Sequence, residues 1–320
     1  MQILITGVAG FIGFNLSRLL LAKKNIKIIG IDNINSYYSQ RLKKDRIKEL
    51  KMNKNFIFKK VDLKNLSSLE KVFNRKISLI INLAAQAGVR YSIKKPREFV
   101  NNNILGFYNL VDLARKYGIK KIIYASSSSI YGDSKKFPLK EIQNVNPKNI
   151  YALSKKNNED LASIFSSQYN IKFIGLRFFT VFGEWGRPDM FMMKYLKSCY
   201  DNKNKFYLNN YGNHTRDFTY IQDACNLVEK IIFCKKKLKS NEIFNICSNN
   251  PVKLMDIIKK INNLTSKKPL LYKRKLQQAD VVKTHGDNKK IYRILGKINL
   301  TSIDKGLQNT LLWFKNYYKL

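Results

Sequence analysis

Tyr151 and Lys155 stand four residues apart, and a run of hydroxyls, Ser126-Ser127-Ser128-Ser129, precedes them in the chain. A phenol is a poor base at neutral pH because its ordinary pKa lies near ~10. A lysine one helical turn further on shares its helix face, and a positive charge there would stabilise the phenolate and lower that pKa. A serine hydroxyl from the run can hydrogen-bond the reacting oxygen. Such a set removes a proton from an alcohol. Taken alone, Tyr-x-x-x-Lys is common on helix surfaces, so a second signal is needed. It is Gly7-Val-Ala-Gly10-Phe-Ile-Gly13, preceded by a short apolar strand and followed by a helical pattern, with Asp32 ending the next strand. Glycines there let the backbone approach a pyrophosphate, and the helix N-terminus offers unpaired N–H groups and a positive dipole end. Asp32 can accept hydrogen bonds from ribose hydroxyls and would repel a 2′-phosphate, which favours NAD over NADP. Glycines that only pack a helix tightly on a strand are the plainer reading, and Asp32 at this spacing argues against it. Asp62-Leu63 follows a third strand, where Asp62 either faces the adenine or caps a helix.

These residues need a frame. Short apolar runs at 3–6, 27–31, 56–58 (with Val61), 79–83, 121–125 and 172–176 read as strands. Helical patterns lie between them: one from the glycine turn through Leu20, then 39–50, 103–117 and 155–169. The alternation predicts a Rossmann-like, doubly wound parallel sheet. After Thr180 the rhythm changes to loops and polar aromatics. We expect an NAD-binding domain over 1–180 and a smaller C-terminal substrate lobe over 181–320, with some segments of the latter returning to the first domain. Trp313-Phe314 and Tyr317-Tyr318 read as the packed face of a last helix.

Composition narrows the class. The chain has 320 residues, of which 44% are hydrophobic, as expected for a globular protein with a sizeable core. Cys199, Cys225, Cys234 and Cys247 form no C-x-x-C, which suggests a reducing compartment and no structural zinc. His214 and His285 are too few for a histidine-based metal site, so no metal is expected. The apolar N-terminus reads as a buried strand feeding a helix, not as a secretory signal, and no apolar run reaches the ~18 residues of a membrane helix. Lys and Arg total 60 against 22 Asp and Glu, a net charge of +38. The basic residues are spread along the chain with no nucleic-acid motif, so compositional drift is preferred to a polyanion-binding role; the scarcity of acids stays unaccounted for.

Together these residues resemble the extended short-chain dehydrogenase/reductases, in their nucleotide-sugar epimerase branch. The likeness runs along essentially the whole chain. It places catalysis on Ser127 or Ser128, Tyr151 and Lys155. It places the cofactor against Gly7, Gly10, Phe11, Ile12, Gly13, Asp32, Asn33, Asp62, Leu63, Leu83, Ala84, Ala85, Tyr151 and Lys155. Leu83-Ala-Ala-Gln-Ala-Gly-Val-Arg90 is similar to the family's loop beside the cofactor, and Phe244-Asn-Ile246 to a strand near the nucleotide. Arg216-Asp217-Phe-Thr-Tyr-Ile-Gln-Asp223 is similar to the segment whose arginine meets the substrate diphosphate, a role that suits a planar fork; the plainer reading of Arg216 is a salt bridge to Asp217 or Asp223.

Gln86–Ser92, Arg177–Met190 and Asp32-Asn-Ile-Asn-Ser-Tyr37-Tyr38 resemble the UDP-glucuronate 4-epimerases. The related UDP-galactose enzymes usually carry Asn where Thr180 stands. The resemblance implies interconversion of UDP-glucuronate and UDP-galacturonate through a 4-keto sugar. It adds Arg90, Ser129, Thr180, Arg187, Gln277 and Asp280 to Ser127, Ser128 and Arg216 as substrate residues. For Arg187 the plainer reading is a surface arginine in a turn. Dehydratases and decarboxylases of the superfamily typically carry an acid just after the strand-end serine, where this chain has Ser128 and Ser129; Asp133 is the nearest downstream acid. The motif around Gln277-Gln-Ala-Asp280 lacks the family's Pro and Gly, and Glu184 stands where Pro is frequent. The resemblance also implies a cytoplasmic homodimer, packed through helices near 103–117 and 155–169, that supplies galacturonate for surface polysaccharide. No nucleic acid partner and no membrane insertion are expected. The alternatives are a 4-epimerase of UDP-galactose or of a UDP-N-acetylhexosaminuronate, a net redox enzyme that releases NADH, and, more remotely, a non-catalytic NAD- or polyanion-binding module.

Overall fold

The computed structural model describes residues 1–201 and 205–320. Strands β1 (Gln2–Thr6), β2 (Lys27–Asp32), β3 (Phe56–Lys60), β4 (Ile77–Asn82), β5 (Lys121–Ser127) and β6 (Lys172–Phe178) form where sequence patterning predicts them. Three short strands follow, β7 (Thr180–Phe182), β8 (Lys205–Asn209) and β9 (Thr215–Tyr220), and then β10 (Asn241–Ile246), β11 (Pro251–Lys253) and β12 (Leu270–Arg274). Among the described residues, seven strands make one sheet in the order β10-β6-β5-β4-β1-β2-β3, every neighbouring pair parallel. Ile- and Leu-rich runs such as Gln2–Thr6 and Ile77–Asn82 are buried on both faces, as a parallel sheet covered by helices requires. The order in which the chain adds strands reverses between β1 and β4, so the crevice beyond their C-terminal ends is the natural ligand site. Register puts Thr6 beside Ile31 and Asn82, and Ser127 beside Phe178, so the predicted site residues leave the sheet along one edge.

Patterning did not reach the seventh strand's place. Segment 244–246 lies in β10, the sheet edge beyond β6, after the chain has made β7, β8 and β9. The remaining strands form two smaller sheets, β11-β9-β7 and β12-β8. The helix predicted over 103–117 is Gly106–Lys116, preceded by a π-helical turn Val100–Leu105. The helix predicted over 155–169 is Ile150–Tyr169, longer at its start because the Asn149 side chain caps the Ala152 N–H at 2.9 Å. That cap places Tyr151 in the first turn. In the last helix, Ile303–Tyr318, Phe314 is buried and Trp313 stacks on Tyr317 with ring centroids 5.1 Å apart. Both rings pack on Trp185, which meets Phe14 of the glycine-turn helix at 4.9 Å; Tyr318 stays exposed.

Candidate active site

A cavity of about 420 Å³ opens at the C-terminal edge of the sheet. At one end it is lined by Gly7, Gly10, Phe11, Ile12 and Gly13, then Asp32, Asn33, Asp62, Leu63, Leu83, Ala84 and Ala85. Gly7 has φ +74°, and a Cβ there would stand 2.6 Å from the Ala84 amide nitrogen. A Cβ on Gly13 would overlap the Gly7 carbonyl, so only glycine lets helix Phe11–Leu21 start this close to β1. The first amides of that helix lack intrahelical acceptors and lie at the cavity. The Asp32 carboxylate accepts from Ala9 N–H at 3.1 Å and Ile34 N–H at 2.8 Å, and each oxygen keeps a free lone pair. Burial pushes its pKa up, opposed by those amides and by the charges of Lys43 and Arg46. Asp62 caps nothing helical: it accepts from the Asn33 side chain at 3.1 Å and the Lys64 N–H at 3.0 Å, while Asn65 caps the next helix. This end fits a dinucleotide, with a backbone cradle no side chain could enter and a carboxylate set for ribose hydroxyls.

The other end holds Ser126–Ser129, Tyr151, Lys155, Thr180 and Arg187. Ser127 lies beside the Tyr151 phenol in this cavity, and its hydroxyl donates to Ser129 Oγ at 3.1 Å. Burial raises the Tyr151 pKa, partly offset by Ser127 and by the charge of Arg187. Lys155 is 2% exposed, and its ammonium donates to the Ala125 carbonyl at 2.8 Å.

Burial lowers the Lys155 pKa from 10.5 to about 8. Between those values the unfolded chain holds the proton more tightly than the folded one, so stability rises with pH across the window. In urea melts of wild type and Lys155→Met, the difference is expected to move in favour of wild type from pH about 7 to about 10; a constant difference would show that the ammonium is not desolvated.

Arg187 is no free surface arginine. Its fork binds Asp189 at 3.0 and 2.5 Å, and Tyr37 donates to the same carboxylate at 3.1 Å. The guanidinium thus faces the cavity with its orientation set by two side chains.

The remaining predicted residues gather outside this cavity. Arg90 binds Asp280 with both prongs, at 3.0 and 2.6 Å, linking the short helix Val89–Lys94 to the loop after β12. Arg216 pairs with neither Asp217 nor Asp223. It donates to the carbonyls of Val281 at 2.5 Å, Val282 at 2.8 Å and Thr215 at 3.0 Å. Asp217 instead anchors Ser248, Asn249 and Gly286, and Asp223 holds Thr301. Arg90, Arg216 and Asp280 therefore form one cluster beside His214, whose pKa burial and the Arg216 charge lower to about 4. Gln277 is exposed and contributes only its carbonyl, which accepts from the Asp280 amide at 2.9 Å.

Several residues at the site escaped sequence reading. Asn103, in the π-helical turn, accepts from Gln86 N–H at 2.7 Å and donates to Gln86 O and Ser154 Oγ, so it fastens the cofactor-side loop to the Tyr151 helix. Glu159 accepts from Ser126 Oγ at 2.6 Å and pairs with buried Arg177 at 2.8 Å. Lys43 and Arg46 are 4% and 0% exposed, although their helix reads as highly charged. The signal was present: Lys43, Arg46, Ile47 and Leu50 follow the spacing of one buried helix face. Among the described residues no group of three or more His, Cys, Asp and Glu could hold a metal ion, and no helix is long and apolar enough to cross a membrane.

Known proteins carry the same frame. The chain is 42% identical to an uncharacterized protein of Methanocaldococcus jannaschii, over 98% of this chain and 96% of that one. It is 36% identical to a UDP-glucuronate 4-epimerase of Thermodesulfobacterium geofontis, over 99% and 97% respectively. Its fold matches a UDP-glucuronic acid 4-epimerase of Bacillus cereus, solved with UDP-glucuronic acid and NAD, at a TM-score of 0.93 and 30% identity, covering 99% of this chain and 100% of that one. Residues 3–247 match the family described as NAD dependent epimerase/dehydratase. With the glycine cradle, Asp32 and the Tyr151–Ser127 pair in one cavity, the chain belongs to the NAD dependent epimerase/dehydratase family of extended short-chain dehydrogenases/reductases.

Proposed function

We propose that the protein is a UDP-glucuronate 4-epimerase, interconverting UDP-glucuronate and UDP-galacturonate. The observation that carries the sugar assignment is the company Tyr151 keeps: Ser127, Ser128, Ser129 and Thr180 line its end of the cavity, a set of hydroxyls suited to a carboxylate, with the Asp189-paired Arg187 beside them. Among the described residues, the carboxylates lining the cavity are Asp32 and Asp62, both at the adenosine end. Asp133 pairs with Lys148 at the surface, and Glu159 is held by Arg177, so no free acid stands beside the strand-end serines to serve elimination at C5. The match to UDP-glucuronate 4-epimerases supports the same reading.

NAD, when bound, accepts the C4 hydride and returns it. The chain's own residues do the rest. Tyr151 takes the proton of the C4 hydroxyl, Ser127 holds that oxygen, and Lys155 supports the tyrosine helix from the Ala125 carbonyl. The 4-keto sugar would turn over in the cavity to present its other face, and Tyr151 gives the proton back to the C4 oxygen. A 4-keto uronate is a β-keto acid that loses CO2 when the C5–carboxylate bond aligns with the carbonyl π system. Hydroxyls of Ser127–Ser129 and Thr180 hold the carboxylate away from that alignment. Thr180→Val, nearly isosteric, is expected to raise the decarboxylated fraction about tenfold by leaving the carboxylate one donor short; an unchanged product ratio in an anion-exchange trace rejects the role.

Proton NMR of purified protein with UDP-glucuronate tests the assignment. The anomeric and H4 signals of UDP-galacturonate should appear without accumulating reduced cofactor. Inertness towards UDP-glucuronate with turnover of UDP-galactose or a UDP-N-acetylhexosaminuronate would overturn the choice of sugar.

The reading includes a division of labour and an assembly. Residues 1–180 bind NAD, and 181–320 mainly bind the nucleotide sugar, with Arg90, Arg216, Gln277 and Asp280 at its nucleotide end. The protomer pairs as a homodimer through helices Gly106–Lys116 and Ile150–Tyr169. Exposed Val100, Leu105, Tyr108, Leu153, Ile164 and Tyr169, on or beside those helices, support that face, and light scattering reads the mass directly. Four unpaired cysteines suit a reducing cytoplasm, where the product would feed polysaccharide synthesis.

A further inference from the structure

Among the described residues Arg46 has one of the largest fully buried side chains, yet it forms no ion pair. One Nη donates to the Ala9 carbonyl of the glycine turn at 2.7 Å and to the Tyr38 phenol at 2.8 Å. The other donates to the Trp185 carbonyl, with Gly186 O at 3.5 Å. All four acceptors are neutral, and Nε has none. A buried cation is costly without an opposite charge, and Asp32, the nearby acid that feels this one, also feels the Lys43 ammonium. The balancing anion is therefore expected on the far side of the glycine turn, where the dinucleotide pyrophosphate would lie.

The two carbonyls gripped by the fork belong to different parts of the site. Ala9 lies between the glycines that cradle the cofactor, while Trp185-Gly186 leads directly into Arg187 at the sugar end. We infer that Arg46 is a positioning residue that couples seating of the cofactor in the glycine turn to the position of the 183–190 loop, and through it to Arg187. The inference rests on NAD as the cofactor and not on the identity of the sugar. An anion seated on the turn favours the charged fork in place, and the fork holds both carbonyls or neither. Lysine at this position keeps the charge but offers it from one nitrogen, so it cannot grip two separated carbonyls in the same way. A longer contact, Asn15 Nδ2 to Glu184 O at 3.4 Å, also ties the loop to the glycine-turn helix and would remain in such a variant.

Hydrogen exchange read by mass spectrometry tests the coupling with NAD alone and no sugar present. In wild type, NAD should slow exchange at both 7–13 and 183–190, the latter by about tenfold. In Arg46→Lys, at NAD concentrations that fully protect 7–13, slowing at 183–190 should drop to about twofold or less. Equal slowing at 183–190 in both proteins overturns the inference. So does wild type in which NAD protects 7–13 but leaves 183–190 unchanged, a result that needs no variant to fold. Failure of NAD to protect 7–13 in wild type would sink the cofactor premise along with the coupling, whereas failure of the sugar assignment would show only in the NMR assay.

Discussion

Tyr151→Phe is expected to lower the rate of UDP-glucuronate epimerisation by about 10²–10⁴-fold, the range for a lost acid–base group. The change removes one oxygen from a side chain held by its ring, which meets Phe99 edge-on at 6.1 Å, so the helix and cavity should persist. Substrate affinity should stay within about twofold, because a proton transfer is lost and not a ground-state contact. Ser127 keeps its bond to Ser129 and cannot replace the phenol, since its own proton has nowhere to go. Calorimetric titration with UDP-glucuronate and the NMR assay separate the two quantities. Activity within about tenfold of wild type would show that another group, or water, carries the proton.

The second large effect falls on stability. Glu159→Ala is expected to cost about 3–5 kcal/mol, the usual penalty for stripping one partner from a buried ion pair. The Arg177–Glu159 pair is bidentate, at 2.9 and 2.8 Å, with both side chains 5% exposed. Burial opposes the Arg177 charge, but the carboxylate outweighs it and holds the guanidinium charged. Alanine would leave that cation with the Tyr131 phenol and the Glu141 carbonyl, and would strip Ser126 of its acceptor. The pair joins the Tyr151 helix to β5, which carries the serines, and to β6, which runs on towards Thr180. A loss in urea melts below about 1 kcal/mol would mean that water enters and rehydrates Arg177.

Much of the frame could be read from local patterning. Ile-rich runs of five to seven residues, alternating with helical periods, can bury both faces only as covered parallel strands, and β1 to β6 form accordingly. The glycine turn with Asp32 was legible because phosphate binding demands a backbone geometry that only particular residues at particular spacing allow. What failed to show had a common cause. Arg216 is followed immediately by Asp217, and adjacency offered a salt bridge as the plainer alternative to a diphosphate contact. On strand β9, however, neighbouring side chains point to opposite faces, so Asp217 turns inward to Ser248 and Gly286 while Arg216 reaches the 281–282 carbonyls. Lys43 and Arg46 were hidden in the same way, since a charged helix suggests solvent until its apolar spacing is laid over the charges. β10 pairs with a strand more than sixty residues earlier, a contact no local window contains.

By itself, then, the sequence determined the class of chemistry, the cofactor cradle and the parallel architecture, because each is encoded in residue type and short-range period. Only the tertiary structure decided which charges meet. It committed Lys155 to a carbonyl, filled the forks of Arg90, Arg187 and Arg216, and put Arg46 beneath both the Ala9 turn and the Trp185 loop. The physical reason is that a hydrogen bond or ion pair is set by distance and direction in space, and chain separation constrains neither once the sheet has brought remote segments to one edge.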